Sequence, residues 1–484
     1  MNNNIRTRFA PSPTGFLHVG GLRTALYNYL FAKQHNGAMV LRIEDTDQTR
    51  FIEGATENLI KTLKGMDIEY NEGPDKEGPY GPYIQSKRIA IYRNHANQLI
   101  EQGDAYYCFC TPEHLEKMRK KQEALKQQSK YDGTCRKYSS TEVQKKLDSG
   151  LPYVIRLKMP QEGNTTFKDL IRGEVSVQNE LMDDQILIKS DGYPTYHLAN
   201  VIDDYLMHIT HVIRGEEWLL SVPKHLRLYE AFQWEIPQMA HLPLLLNPDR
   251  SKLSKRQGDV AVEDFLSKGY LPEALNNFVA LLGWNPGDNQ EFFTIEELIH
   301  KFSLERVSKS GAIFDFQKLK WMNSHYIKQL PQGERIKYFN NFLKKSGYDV
   351  SDSEKTQKII EAIYKRVSNG EEILDQVKIF YNNTLHISED NAKAILKKST
   401  SEIVLNTFLE KANSYSEIDL LIFKNIMKEI QNQSGIEKEK LWMPLRVALT
   451  GVTHGPELPA VIEIFGKQKI QNFINQALKI RGTL

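Results

Sequence analysis

Residues 8–29 read RFAPSPTGFLHVGGLRTALYNY, and few folds accept such a run. Residues 5–10 form a short strand candidate, and Pro11, Ser12, Pro13, Thr14 and Gly15 make a breaker-rich turn. From Gly21 the pattern turns helical, with Leu22, Ala25, Leu26, Tyr29 and Leu30 at one-face spacing. The helix mouth carries His18, Val19, Gly20 and Gly21. Strand, tight turn and helix in that order suit a nucleotide phosphate. Glycines let a ligand approach the backbone, and a helix N-terminus presents N–H groups with a partial positive charge. His18 adds a donor beside them. Four residues recur by chance, however, and alone this pattern is better read as a solvated turn with a capping histidine.

A second signal lies far downstream. Lys252-Leu253-Ser254-Lys255-Arg256 sets two lysines three apart in a loop flanked by Pro, Asp and Gly. Together the two elements resemble the HIGH and KMSKS signatures of class I aminoacyl-tRNA synthetases, written here HVGG and KLSKR. Further collinear segments narrow the resemblance: LRIEDTD (41–47), GPYIQSKR (81–88), SDGYPTYHLANVIDD (190–204) and VIRGEEWL (212–219). With the first stretch, these resemble the bacterial glutamyl-tRNA synthetases, and weaker similarity covers the remainder.

Composition sets outer bounds. A chain of 484 residues has room for about three or more domains. The formal net charge of +2 gives no global nucleic-acid signature, so a tRNA would have to meet local basic surfaces. Three cysteines are too few for a disulfide scaffold and suit a reducing compartment. No N-terminal signal pattern and no apolar run near the ~20 residues of a membrane span is read, so a cytoplasmic protein with no membrane partner is expected.

Taken in order, residues 39–45 are a second strand candidate ending in acids. Strand ends in parallel α/β sheets are where ligands sit, which places Glu44 and Asp47 to meet a substrate ammonium or a ribose, unless they are a solvated acidic turn. Helical patterns follow at 52–63 and, after the turn at Tyr80 to Tyr83, with Ile89, Tyr92, Ala96, Leu99 and Ile100 on one face. Cys108, Cys110 and the distant Cys135 can hold zinc if a fourth ligand exists. In zinc-bearing relatives that ligand is a histidine two residues after the third cysteine; here Lys137 stands there, and Tyr131 precedes Cys135 by four. The competing reading is three small buried residues. Residues 113–130 form a charged, solvated helix, and strands are expected at 154–158, 175–177 and 185–189.

Tyr196 and Asn200 are four apart and share a helical face. Residues 208–214 read as a strand ending at Arg214, and an arginine at a strand's C-terminal edge can fork onto a carboxylate. Beyond about residue 258 strands fade. Helices are expected at 262–266, 271–282, 295–302 and 319–326, with Trp284 and Trp321 in the core. Residues 331–484 read as helical throughout, with stripes at Leu420, Phe423, Met427 and Ile430 and at Val461, Ile464, Phe465 and Ile470.

The expected fold class is therefore α/β: a Rossmann-type nucleotide-binding catalytic domain (1–92 and 191–250), interrupted by an α/β insertion (93–190). The lysine loop and a helical stem-contact region (251–330) follow, then an all-helical anticodon-binding half (331–484) of two subdomains. The resemblance implies that the insertion meets the acceptor end of tRNA. It implies ATP-dependent charging of tRNA(Glu) with L-glutamate, with tRNA(Gln) as a second acceptor left open. The glutamate site it implies is Arg8, Ser12, Glu44, Tyr196, Asn200 and Arg214, with Arg214 reading the γ-carboxylate, where the glutamine-specific cousins carry a neutral residue. The ATP site it implies is Pro11, Gly15, His18, Gly20, Gly21, Asp47, Glu217, Trp218 and Lys255. His18, Lys255 and, less directly, Lys252 would stabilise the transition state. Mg²⁺ is expected with ATP, activation is expected to need bound tRNA, and a monomer is expected. Rival readings are weaker. A glutaminyl-tRNA synthetase would carry β-barrel anticodon domains. The shortened queuosine-modifying relative lacks the C-terminal half and an intact lysine loop. A catalytically dead tRNA-binding relic would not need His18 and Lys255. A small-molecule nucleotidyltransferase would lack the long helical tail.

Overall fold

The computed structural model describes residues 5–127, 129–253 and 260–484. The chain divides into two compact units, Met1–Ser267 with Pro272–Leu319, and Lys268–Leu271 with Lys320–Leu484.

In the first unit the opening stretch folds as strand, turn and helix. β1 (Arg6–Phe9) leads through the proline turn into α1 (Val19–Gln34) and then β2 (Ala38–Leu41), which pairs parallel with β1 from Arg6↔Ala38 to Phe9↔Leu41. Gly15 holds φ at 136°, in the region that favours glycine, so the turn depends on it. The helix begins at Val19, two residues before the hydrophobic spacing suggests, because His18 itself caps it: its Nδ1 accepts from the Gly20 N–H at 2.9 Å. One apolar face was expected, but α1 is buried nearly all round, Tyr27, Asn28 and Phe31 included. Helices from later in the chain enclose it. The Tyr27 hydroxyl donates to the Ala280 carbonyl at 2.9 Å, and Arg23 donates to the Leu282 carbonyl at 3.0 Å.

α2 (Ala55–Gly65) and α3 (Ile89–Glu101) follow. The insertion supplies β3 (Ala105–Cys108), α4 (Pro112–Ala124), α5 (Ser140–Asp148), β4 (Val154–Leu157), β5 (Asn164–Asp169), β6 (Gly173–Gln178) and β7 (Ile186–Ile188). β3, β4 and β7 form one antiparallel sheet, and α4 buries no residue, as its charge run implies. After the insertion come α6 (Tyr196–Leu206), β8 (His211–Gly215), α7 (Val222–Phe232) and β9 (Gln238–Leu242). β8 and β9 run parallel, with Arg214 opposite His241. The Thr210 N–H donates to the Arg6 carbonyl at 2.9 Å, which ties β8 to β1. The β5–β6 hairpin joins this sheet too, since Asp169 pairs with Met239 of β9. A strand inside residues 93–190 thus reaches the sheet of β8 and β9.

β10 (Leu245–Leu246) leads toward the lysine loop. Then come α8 (Val262–Ser267), α9 (Pro272–Ala280), α10 (Ile295–Lys301), β11 (Ala312–Ile313) and α11 (Phe316–Gln329). Strands do not quite end at 258: β11 pairs parallel with β10. Trp284 is buried, as expected, but Trp321 is 48 % exposed. Its neighbours Met322 and Asn323 hold the buried face, and Trp321 falls outside that arc.

The second unit is helical: α12 (Gln332–Lys345), α13 (Ser353–Ile363), α14 (Ile373–Tyr381), α15 (Asp390–Lys397), α16 (Ser399–Ala412), α17 (Leu420–Ser434), α18 (Glu439–Thr450) and α19 (Leu458–Thr483). Phe423, Met427 and Ile430 of the expected stripe are buried, and so are Val461, Phe465 and Ile470. Leu420, the first residue of α17, is exposed, and Ile464 is only partly buried. Among the described residues no helix is long and apolar enough to cross a membrane.

Charged groups knit the first unit. Asp203, fully buried in α6, accepts from Arg88 Nε at 2.8 Å, Gln85 Nε2 at 2.9 Å and the Tyr92 hydroxyl at 2.8 Å. Replacing it strands a buried guanidinium. We expect Asp203→Ala to destabilise this unit by about 3–5 kcal/mol, read as a lower denaturation midpoint for the unit.

Candidate functional site

Two adjoining cavities open along the C-terminal ends of β1, β2 and β8. The larger, about 650 Å³, is lined by Arg8, Ser12, Glu44, Tyr196, Asn200 and Arg214, which are all six residues of the expected glutamate site. Gly20, Gly21, Asp47, Glu217 and Trp218 line it as well. The smaller, about 360 Å³, is lined by His18, Gly20, Gly21, Glu217 and Lys252 among others. Two residues of the expected ATP site line neither. The Pro11 carbonyl accepts from the Glu44 N–H at 3.0 Å and so anchors the end of β2, and Gly15 shapes the turn. Lys255 lies outside the described residues.

The floor of the larger cavity is a buried ion network. Arg8, at the end of β1, sets its Nε 3.1 Å from Asp204 Oδ1. Arg42, just after β2 and fully buried, reaches Asp204 Oδ1 at 2.7 Å and Glu44 Oε1 at 3.0 Å. Burial pushes the Glu44 carboxyl up, against the pull of Arg42. The Asp204 carboxyl is held low, because Arg8 and Arg42 outweigh its burial. The Asn200 amide fits the same frame, its Oδ1 accepting from Arg42 Nη2 at 3.0 Å and its Nδ2 donating to Asp204 Oδ2 at 3.3 Å. Asp47 differs: it is half exposed, and hydrogen bonds from Thr49 and Arg50 hold its carboxyl down at about 2.

Arg214 faces the cavity in a different setting. Its Nη1 donates to the Tyr196 hydroxyl at 2.7 Å and its Nε to His241 Nε2 at 3.0 Å. His225 Nδ1 lies 3.4 Å from both terminal nitrogens. Among the described residues no carboxylate forms an ion pair with Arg214, although it is 5 % exposed. A guanidinium held by neutral acceptors in a buried wall attracts an anion. Trp218 packs against Tyr196 in a tilted arrangement with ring centroids 4.1 Å apart and closes that side.

In the smaller cavity the capping bond settles the His18 tautomer. Nδ1 accepts from the backbone, so the neutral ring carries its proton on Nε2 and is a donor there. Glycines 20 and 21 and the start of α1 stand beside it. This is the chemistry of a phosphate seat.

Away from the cavities, Cys108, Cys110 and Cys135 put their sulfurs within 4.8 Å of one another. The Tyr131 oxygen accepts from the Cys135 N–H at 2.9 Å and lies 3.4 Å from Cys108 Sγ and 3.6 Å from Cys110 Sγ. Hydrogen bonds from Cys135 and Tyr131 hold the Cys108 thiol low. The Arg156 guanidinium sits 4.0 Å over the Tyr131 ring and adds positive charge beside the sulfurs. A tetrahedral zinc with bonds of about 2.3 Å sets its sulfurs about 3.8 Å apart, so small adjustments bring the three cysteines into place. Lys137 is exposed, and the Tyr131 hydroxyl is the further oxygen in contact with Cys108 and Cys110.

In the second unit, a cavity of about 200 Å³ is lined by Leu420, Phe423, Trp442, Arg446 and Leu458 among others, and Trp442 is 41 % exposed. Sequence reasoning named none of these as functional. It also missed Arg42, Asp204, His225 and His241. The signal for Arg42 was present, a charged residue between the apolar Leu41 and Ile43 in the expected strand 39–45.

The sequence matches the family "tRNA synthetases class I (E and Q), catalytic domain" over residues 4–321 and the family "Anticodon binding domain" over residues 333–478. It is 49 % identical to a glutamate–tRNA ligase of Alkaliphilus metalliredigens, across 97 % of this chain and 98 % of that one. It is 46 % identical to a glutamate–tRNA ligase of Clostridioides difficile, again across 97 % and 98 %. The crystal structure of a glutamate tRNA ligase from Elizabethkingia meningosepticum in complex with its amino acid superposes with a TM-score of 0.90 at 38 % identity, covering 99 % of each chain. With a catalytic-domain match over more than half its length, relatives across nearly all of it, and the strand–turn–helix cradle in place, the chain belongs to the class I tRNA synthetases of the E and Q family.

Proposed function

We propose that this chain is a glutamate–tRNA ligase, which activates L-glutamate with ATP and transfers it to the terminal adenosine of tRNA(Glu). The observation that carries the reading is Arg214, a buried guanidinium facing the cavity with no carboxylate partner among the described residues. The substrate γ-carboxylate supplies that partner, and the glutamine carboxamide does not. Arg8 is the companion of Arg214 on that carboxylate, Glu44 meets the ammonium at the other end of the amino acid, and Tyr196 and Asn200 line the pocket between.

In the first step an oxygen of that α-carboxylate attacks the α-phosphorus of ATP. The bond to pyrophosphate breaks and glutamyl-adenylate forms. His18 donates from Nε2, and the N–H groups at the start of α1 and Lys252 stand where charge builds on the phosphates. Lys255 joins them in this reading. In the second step the terminal adenosine hydroxyl attacks the mixed anhydride carbonyl and AMP leaves. Positioning and electrostatics suffice, with no covalent enzyme intermediate. Mg²⁺ accompanies ATP in this reading and is held by the phosphates more than by protein ligands.

Residues 93–190 meet the acceptor end, residues 251–330 the stem, and residues 331–484 the anticodon. The exposed Trp442 beside Arg446 offers an aromatic face and a cation, the chemistry on which unpaired bases stack. Cys108, Cys110 and Cys135 hold a structural zinc, with the Tyr131 hydroxyl at the fourth position.

Two measurements test these readings. Purified tRNA(Glu) and tRNA(Gln) transcripts are incubated with labelled glutamate, ATP and Mg²⁺, with Lys255→Ala as control. We expect charging of tRNA(Glu), loss of it in the control, and no pyrophosphate exchange without tRNA. Charging of tRNA(Gln) as well would reveal a relaxed anticodon site, and failure with both would overturn the reading. For zinc, elemental analysis of protein purified without chelator should find about one ion per chain, falling to near zero in Cys135→Ser. A metal-free wild type of full activity would reject the site.

A further inference from the structure

Arg214 has only donors, and this fixes the protons around it. His241 faces it from the adjacent strand β9, at the directly opposed register position. Because Arg214 Nε donates to His241 Nε2 at 3.0 Å, that nitrogen carries no proton. The ring proton is therefore on Nδ1, which lies 2.6 Å from Asp169 Oδ2. Asp169 ends β5 and is fixed in turn, its Oδ1 accepting from the N–H groups of Ile171 at 3.0 Å and Arg172 at 2.8 Å. Asp169 and His241 are both buried. Burial alone pushes the Asp169 carboxyl up, but the His241 and backbone hydrogen bonds outweigh it and hold it low.

We propose that Asp169 and His241 form a positioning relay that aims Arg214 at the substrate carboxylate and sets the selectivity for it. The relay rests on the reading of Arg214 as the γ-carboxylate reader. Its logic is one of distance. A carboxylate in direct contact with Arg214 would compete with the substrate. Placed one imidazole away, Asp169 orients the guanidinium and balances its charge while the terminal nitrogens contact only neutral partners, Tyr196, His225 and the Trp218 carbonyl. A neutral His241 is essential, since a protonated ring would set a second cation against Arg214; burial keeps the ring below the ordinary imidazole range despite Asp169. The inserted segment, which holds β5, thereby supplies a positioning residue to the amino-acid pocket.

The same geometry makes a sharp test possible. In Asp169→Asn the amide oxygen must stay on the Ile171 and Arg172 N–H groups, so the NH₂ faces His241 Nδ1. The ring must then accept at Nδ1 and carry its proton on Nε2, directly opposed to the Arg214 Nε–H. A wrong tautomer of this kind disables a site while leaving its shape intact. His241→Gln retains one donor and one acceptor, and His241→Leu retains neither. In steady-state charging of tRNA(Glu), Asp169→Asn and His241→Leu should raise KM for glutamate about tenfold or more. KM for ATP should stay within about twofold, and His241→Gln should recover to within about threefold of wild type for glutamate. Unchanged KM for glutamate in Asp169→Asn, or equal rises for ATP and glutamate, would overturn the relay. Should His241→Leu fail to fold, the contrast between Asp169→Asn and His241→Gln decides. A wild type that charges no glutamate would overturn the function reading along with the relay, whereas an active wild type with unaffected variants would overturn the relay alone.

Discussion

Arg42 and Asp204 meet at 2.7 Å where neither has water, and the larger cavity, the proposed amino-acid pocket, depends on that contact. Desolvating two charges is expensive, and the attraction between them repays it only with good geometry and further hydrogen bonds. Here Arg42 also binds Glu44, Asp204 also binds Arg8, and Asn200 bridges the two sides. The network thus pins β1, the end of β2 and α6 to one another. Three parts of the chain far apart in sequence present their polar groups to one cavity. Hydrophobic packing alone would hold the strands together without fixing which way Glu44 and Arg8 point.

Beside this balanced network stands Arg214, and the contrast between the two gives the pocket its chemistry. Arg8 and Arg42 have their carboxylates. Arg214 has a phenol, two imidazoles and a distant carboxylate reached through one of them. Electrostatic demand is therefore concentrated at one wall, while the floor stays rigid. The neighbouring cavity, proposed as the phosphate seat, would work on another principle, through backbone N–H groups at the start of α1 that cost no side-chain entropy.

Much of this was legible in the sequence, for physical reasons. The strand–turn–helix opening announced itself through Pro11, Pro13, Gly15 and the helical spacing after Gly21. Tyr196 and Asn200 were placed on one face by their spacing alone, and both line the cavity. Other features were not legible. Burial of α1 on all sides depends on α9 and α10, which lie hundreds of residues away, so a one-face pattern understated it. Trp321 looked like core by residue type, yet the direction of its helix decided otherwise. Asp169 sits in a stretch that reads as an insertion. Only the pairing of β5 with β9 brings it to Arg214, and long-range strand pairing leaves no local trace.

The central claim is that Arg214 creates the preference for a carboxylate. The most direct measurement is the ratio of kcat/KM for glutamate over glutamine in charging tRNA(Glu), compared between wild type and Arg214→Gln. The account predicts that kcat/KM for glutamate falls by about a hundredfold or more, and that the ratio collapses toward or below one. A variant that keeps kcat/KM for glutamate within about threefold of wild type, with the ratio intact, would contradict it.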